Sequence, residues 1–248
     1  MSDVGNIDDR LNDFIINDYF IKKFFPTKER ILHQDPRMPW ANNVIYRNII
    51  EYGNPGSGKT TLSNSIAGIS VDTYGLDNVN ARFREDGNLE VLMHRGLEPK
   101  LVNILFTDNA TLRKQSNDTL VSYFTLRNKF YDRFHREPWN LSNGYILSII
   151  SLHRYHGINV DMRSVVDAII IKDVSLNPYD KRIISSFIED SEQLELLDQI
   201  VDLRFDETKL MNYSILVTRN KVGMLNLPPR DVFYFKEPER LIDILRNL

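Results

Sequence analysis

The chain has 248 residues, 42% of them apolar, with 34 acidic against 31 basic side chains and a formal net charge of −3. That is one large domain or two small ones with material for a core, so wholesale disorder is excluded and net charge gives no argument for a nucleic-acid partner. There is no cysteine, which removes disulfides, thiolate-bound zinc, iron–sulfur clusters and thiol catalysis.

The first residues are acidic and polar, without the basic start and apolar run of a signal peptide. No stretch approaches the ~18 consecutive apolar residues of a membrane span. The expectation is a cytoplasmic protein with no membrane span, in a host cell's cytoplasm if a virus or plasmid encodes it. Residues 8–25 read as an amphipathic helix, with Leu11, Phe14, Ile15, Tyr19, Phe20 and Ile21 largely on one face and Pro26 at its end. Residues 26–43, with Pro26, Pro36 and Pro39, read as loop. Val44–Tyr52 is a β-rich run leading into a glycine segment, and Thr60–Ile69 reads as a helix.

The glycine segment is Gly53, Asn54, Pro55, Gly56, Ser57, Gly58, Lys59 and Thr60, followed by Thr61. It fits G-x-x-x-x-G-K-[ST] in the context that motif requires, after a strand and before a helix. The glycines let successive N–H groups turn toward phosphates, and the helix N-terminus adds partial positive charge. Lys59 is then expected on the β- and γ-phosphates and the Thr60 hydroxyl on Mg²⁺, which predicts a nucleoside triphosphate, ATP with Mg²⁺, at Gly53–Thr61.

Farther along, Asp77–Asp86 is a polar insertion and Leu89–Met93 reads as a strand. Leu101–Phe106 is a short apolar strand ending at Thr107 and Asp108. A carboxylate that holds Mg²⁺ through water belongs at the end of a strand next to the P-loop strand, and Asp108 fits; a helix-capping Asp is the alternative. Asn109 follows. It can hydrogen-bond an attacking water but cannot take its proton, so either hydrolysis is slow, or Asp108 or an acid elsewhere is the base.

Residues 110–136 read as one long helix. Within it, Arg127, Lys129, Phe130, Tyr131, Arg133, Phe134, His135 and Arg136 mix basic and aromatic side chains. That is the composition of a DNA-contacting surface; the preferred reading is an amphipathic helix with Phe130 and Phe134 in the core and a charged outer face. Tyr145–Ile150 is a buried strand followed by Ser151, Leu152, His153 and Arg154. His153 can touch the γ-phosphate from that strand tip, or be a surface histidine; Arg154 can support the loop or pair with an acid. Val165–Ile171 reads as a strand, Asn177–Ile188 and 191–203 as helices, Ser214–Val217 and Val222–Leu225 as a hairpin, and 236–247 as a closing helix. Strands alternating with helices predict an α/β fold with a largely parallel sheet. The expected organisation is an N-terminal helical extension over 1–43 and one domain over 44–248.

Three strand ends stand in order: Gly53 to Thr60, Ile104-Leu-Phe-Thr-Asp-Asn-Ala110, and Ser148-Ile-Ile-Ser-Leu-His-Arg154. Asp161-Met-Arg163 and the run Val166–Ile171 follow. Over roughly residues 44–225 this series resembles the FtsK/HerA-like branch of RecA-fold P-loop ATPases. That branch includes motors that package viral genomes or drive conjugation, with small versions in archaeal viruses and plasmids. Two positions depart from it: Asn109 where Glu is usual, and His153 where Gln is usual. The resemblance implies a RecA-like ATPase assembled as a homo-oligomeric ring, a hexamer, with nucleotide at subunit interfaces, DNA as cargo and a viral or plasmid protein as a further partner. It implies an arginine supplied by the neighbour, with Arg127 and Arg163 as candidates. The competing readings are an AAA+-like initiator or helicase loader that uses ATP as a slow switch, and a non-motor P-loop protein such as a small-molecule kinase.

Overall fold

Along β1 (Asn43–Tyr52), Ile49 enters one apolar layer while Ile50 and Tyr52 enter the other. A strand buried on both faces belongs in the middle of a parallel sheet covered on both sides. A computed structural model describes residues 12–33, 37, 42–108, 110, 117–153, 164–172, 178–202 and 213–235. Among these a seven-stranded sheet has β1 at its centre.

In chain order the elements are α1 (Asn17–Phe24), α2 (Lys28–Leu32), β1, α3 (Lys59–Tyr74), β2 (Val79–Arg84), α4 (Leu89–Arg95), β3 (Val102–Thr107), α5 (Asn117–Phe124), α6 (Leu126–Phe134) and β4 (Asn143–Leu152). β5 (Ala168–Ile171), α7 (Pro178–Ser185), α8 (Ser191–Asp202), β6 (Ser214–Thr218) and β7 (Lys221–Leu225) follow. The strand order is β2-β3-β4-β1-β5-β6-β7. The first five strands are parallel, and β6 and β7 add an antiparallel hairpin beside β5. The largely parallel α/β sheet expected from the alternation is present.

One apolar layer gathers Phe20, Phe24 and Ile31 from α1 and α2 with Ile66 and Tyr74 from α3 against Ile49, Ile104, Phe106 and Tyr145. The other gathers Leu92, Tyr123, Phe130, Phe134, Ile184 and Leu197 against Ile50, Ile146, Ile150 and Ile169. Outside α3, Asn64 donates to Arg230 O and Val232 O and accepts from Tyr234 N, so the segment after β7 lies across the helix.

The structure corrects several expectations. Before α1, Phe14–Ile16 is not helical: Met224 N donates to Phe14 O at 2.7 Å and Ile16 N to Met224 O at 2.9 Å. Extended pairing there satisfies backbone groups of β7 that a helix would leave open. Ile21, expected on the buried face, is 38% exposed. The expected loop over 26–43 holds the helix α2, capped by Thr27, whose side chain accepts from Arg30 N.

The expected strand at Leu89–Met93 is the helix α4, and the sheet strand is instead Val79–Arg84, inside the stretch read as an insertion. The reason is visible in the burial: Leu89, Leu92 and Met93 are buried at helical spacing, and Asn88 caps the helix by accepting from Val91 N. The single helix expected over 110–136 is two, broken at Thr125, whose hydroxyl bonds back to Val121 O at 2.9 Å. The first helix after the loop runs to Tyr74, farther than Ile69. The expected closing helix at 236–247 lies outside the described residues.

Candidate nucleotide site

β1 ends at Tyr52, and the loop Gly53–Gly58 turns the chain into α3. Gly53 N still donates to Leu152 O at 3.2 Å, so the loop starts as a continuation of the sheet. A Cβ on Gly53 would lie 2.7 Å from Ser57 Oγ and 3.1 Å from Lys172 Cβ. Gly56 and Gly58 have φ of 79° and 85°, values that side chains other than glycine rarely adopt. Gly58 is the N-cap of α3, and no side chain caps it. The first amides of α3 are therefore presented at the loop, the arrangement that holds a phosphate.

Lys59, the first residue of α3, is nearly buried. Its Nζ donates to Gly53 O at 2.7 Å and Asn54 O at 2.9 Å, closing across the loop's own carbonyls. His153 Nδ1 lies 3.4 Å from Lys59 Nζ and 3.3 Å from Gly53 O. The tip of β4 thus reaches the P-loop lysine.

Asp108 follows β3. Its amide donates to Arg84 O at 2.8 Å, and its Oδ1 accepts from Ser151 Oγ at 2.7 Å. The expectation that its strand neighbours the P-loop strand is corrected: β4 lies between them. The consequence is that β4 supplies contacts to both sides, Ser151 to the carboxylate and His153 to the lysine. Ala110 N returns to Ser151 O at 3.2 Å, turning the chain over the tip of β4. Asn109, Arg154 and Arg163 lie outside the described residues.

Arg127 is not brought to this site. Asn42 Nδ2 donates to Arg127 O, which places the arginine beside the N-terminal end of β1. Gly53 follows the opposite end of that ten-residue strand, roughly 30 Å away at the usual rise per residue. Phe130 and Phe134 of the same helix are buried, as the amphipathic reading expects, and Arg127, Arg133 and Arg136 are exposed.

Sequence reasoning missed a buried polar layer under the loop. Glu51 is fully buried, accepts from Ser63 Oγ at 2.8 Å through Oε1, and has no hydrogen-bond partner for Oε2 among the described residues. Burial pushes its carboxyl up to about 8, against the lowering effects of Ser63, Lys172 and Lys59. Lys172, just past β5, is also buried, which brings its ammonium down to about 8 while Glu51 acts the other way. On the opposite face Tyr52 Oη donates to the buried Asp180 of α7 at 2.8 Å. The available signal was a charged residue closing each of two apolar strands, Ile49-Ile50-Glu51 and Ile169-Ile170-Ile171-Lys172.

The donor set suits a magnesium nucleotide. Among the described residues no three His, Asp or Glu side chains gather as a metal site. Mg²⁺ needs no such cage, because it binds through one or two protein oxygens and the phosphates themselves. An uncapped helix N-terminus, two positive-φ glycines and a lysine after β1, and a carboxylate after β3, thus lie along one edge of the sheet, at the C-terminal ends of its parallel strands, with the tip of β4 between them. Such an edge is where open α/β sheets bind ligands.

This is the fold of a P-loop NTPase. No protein-family model matches the chain, and no curated protein matches its sequence. Among solved structures, the P-loop NTPase fold here is similar to the genome-packaging NTPase B204 of Sulfolobus turreted icosahedral virus 2 in complex with AMPPCP. That match has 12% identity and a TM-score of 0.47, and covers 74% of this chain and 98% of that one. The DNA-packaging ATPase B204 of Sulfolobus turreted icosahedral virus gives 12% identity and a TM-score of 0.45 over 77% and 98%. ATPases 2 and 3 of EssC from Geobacillus thermodenitrificans give 14% and 0.40 over 81% and 42%. Among the described residues no helix is long and apolar enough to cross a membrane.

Proposed function

We propose that the chain binds ATP with Mg²⁺ at Gly53–Thr61, hydrolyses it slowly, and works in a homo-oligomeric ring that moves DNA. The observation that carries the nucleotide reading is the meeting of Lys59, His153 and the Asp108–Ser151 pair around the uncapped N-terminus of α3. The loop amides and Lys59 would hold the β- and γ-phosphates, and Lys59 would exchange its bonds to Gly53 O and Asn54 O for phosphate oxygens. Thr60 and Asp108 would hold Mg²⁺, whose chemistry here is to neutralise charge on the β- and γ-phosphates. Ser151, donating to Asp108 Oδ1, keeps that carboxylate oriented. His153 would touch the γ-phosphate from the tip of β4. Asn109 would orient the attacking water without taking its proton, which is the reason for a slow rate.

The motor reading rests on the resemblance of the three strand ends and on the exposed cations of α6. In such a ring Arg127, far from its own loop, would act on a neighbour's nucleotide, with Arg163 as the second candidate. Asn109 favours a second reading, an assembly switch of the initiator or helicase-loader kind. The experiment is steady-state ATP hydrolysis with and without double-stranded DNA, with Lys59→Ala as the blank. Several-fold stimulation by DNA, absent in the blank, supports the motor. Tight ATP binding with negligible turnover in both conditions replaces it with the switch, and no ATP binding removes both.

A further inference from the structure

The end of the sheet opposite the phosphate loop carries a second surface, where α6 finishes and the chain turns into β4. α6 packs Leu126, Phe130 and Phe134 inward. Lys129, Arg133 and Arg136 follow at spacings of four and three, and His135 between the last two keeps helical angles, so the three cations run along one flank. From Leu126 to Trp139 there are four basic residues, Arg127, Lys129, Arg133 and Arg136, against Asp132 and Glu137. The local balance is positive although that of the whole chain is negative. The chain then turns sharply: Trp139 N and Asn140 N both donate to Arg136 O, at 3.1 and 3.0 Å, and Asn140 has a φ of 52°. Phe134 joins the turn to the cations. The Arg133 guanidinium lies 5.8 Å from its ring centroid, and the Trp139 ring meets it edge-on at 5.4 Å and 83°. Trp139 is nevertheless 46% exposed. At Asn140 a groove of about 440 Å³ begins, lined in part by the polar side chains of Asn78, Asn140, Ser142 and Asn143 with Lys100 and Asp77.

One exposed apolar residue is ordinary on a protein surface. What sets Trp139 apart is its fixed mounting on Phe134 and its company. The core of a protein–protein interface is depleted in charge and built from adjoining apolar groups. The chain neighbours of Trp139 here are Arg136, Glu137 and Asn140, all exposed. A ring mounted beside a row of cations suits a single nucleic-acid strand instead, because cations track its phosphates and the ring takes the face of an unpaired base. A duplex can use the cations, but its bases are stacked on one another and offer the ring no free face.

We propose that this corner binds a single DNA strand. Lys129, Arg133 and Arg136 hold its phosphates, Trp139 stacks on one base, and the groove that begins at Asn140 takes the neighbouring nucleotides. The choice of DNA over RNA rests on the motor reading above; the cations and the ring do not depend on it. Asn143 pairs with Asn43 at the start of β1, and Gly53 follows that strand's far end, so the strand and the nucleoside triphosphate occupy opposite ends of the sheet.

The test is fluorescence anisotropy of the full chain with labelled oligodeoxythymidine, an oligouridine of the same length, and a closed dumbbell duplex that has no free ends. The proteins are wild type, Trp139→Phe, Trp139→Leu, Trp139→Ala, the double variant Arg133→Gln with Arg136→Gln, and Lys59→Ala. Trp139→Leu keeps an apolar contact for Phe134 but no ring. It should bind the DNA strand on the order of tenfold more weakly, the scale of one lost base–aromatic stack, and bind the duplex as wild type does. Trp139→Phe, which keeps a ring, should retain most of the affinity. The double arginine variant should weaken both DNA ligands and lower the salt slope for the strand by roughly 1.4, about 0.7 for each lost phosphate contact. Lys59→Ala should bind the strand normally. The proposal is overturned if wild type does not bind the strand, if a folded Trp139→Leu or Trp139→Ala variant binds it as wild type does, or if strand and duplex are weakened equally. Failure of both variants to fold also overturns it, because Trp139 would then be structural. Tighter binding of oligouridine overturns the choice of DNA. Strand binding without DNA stimulation of ATP hydrolysis removes the motor reading and leaves this site standing.

Discussion

Stability should pass through a minimum near pH 8, set by Glu51 and Lys172. Burial raises the Glu51 pKa from 4.5 to about 8 in the folded chain. Between those values the unfolded chain has released this proton and the folded chain keeps it. Stability therefore falls as pH rises, by about 1.36 kcal/mol per pH unit and up to about 5 kcal/mol in all. Lys172 acts in the opposite sense. Its folded pKa lies at about 8 against 10.5 when unfolded. Above pH 8 the unfolded chain holds a proton that the folded chain has lost, so stability recovers by up to about 3 kcal/mol toward pH 10.5. Urea unfolding from pH 5 to 10 measures this. Glu51→Gln should flatten the falling limb and Lys172→Met the rising one. Parallel curves for wild type and Glu51→Gln between pH 5 and 8 would refute the reasoning, as would a stability maximum at pH 8.

Asp108→Asn should leave ATP binding within a few-fold of wild type while lowering single-turnover hydrolysis by roughly a hundredfold or more, the scale expected for losing a group that stabilises transition-state charge; an unchanged rate removes Asp108 from the metal role. Neutralising Lys129, Arg133 and Arg136 together should reduce affinity for double-stranded DNA at low salt and lower the salt-dependence slope by about three. The fold should survive, since the buried anchors of α6 are Phe130 and Phe134. Unchanged DNA affinity would leave those three cations without a role in DNA binding.

The P-loop was legible because its chemistry is local. Gly53, Gly56, Gly58 and Lys59 are fixed by backbone angles and by one helix end, and sequence spacing states both. The long apolar strands were legible for the same reason. What the sequence hid depends on the sheet. Leu89, Leu92 and Met93 fit a strand or a helix until the cap at Asn88 and the buried face decide. Val79–Arg84 reads as polar because Asn80, Arg82 and Arg84 occupy a strand at the outer end of the sheet, where Asn80 bonds Gly96 O and Asn103 and Arg82 pairs with Glu98. Strand order is not written in spacing at all, so β4 between β1 and β3 could not be foreseen. Glu51 and Lys172 were hidden because a buried charge is recognised only when its surroundings are known.

The inserted strand also explains why the site's two halves belong to one device. Ser151 pairs in register with Glu51 of the P-loop strand, and Ser148 and Ile149 of the same strand pair with Leu105 and Phe106 of β3. Ser151 and His153 are two residues apart, so their side chains leave β4 on the same face. One reaches Asp108 and the other Lys59. A displacement of the tip of β4 would therefore move the carboxylate's partner and the lysine's partner together. On the proposed reading, an asparagine and not a carboxylate follows the aspartate that would hold the metal. On that reading the tip of β4 touches both the lysine that would meet the γ-phosphate and the acid that would meet the metal, which makes β4 the element best placed to report the nucleotide's state to the rest of the sheet.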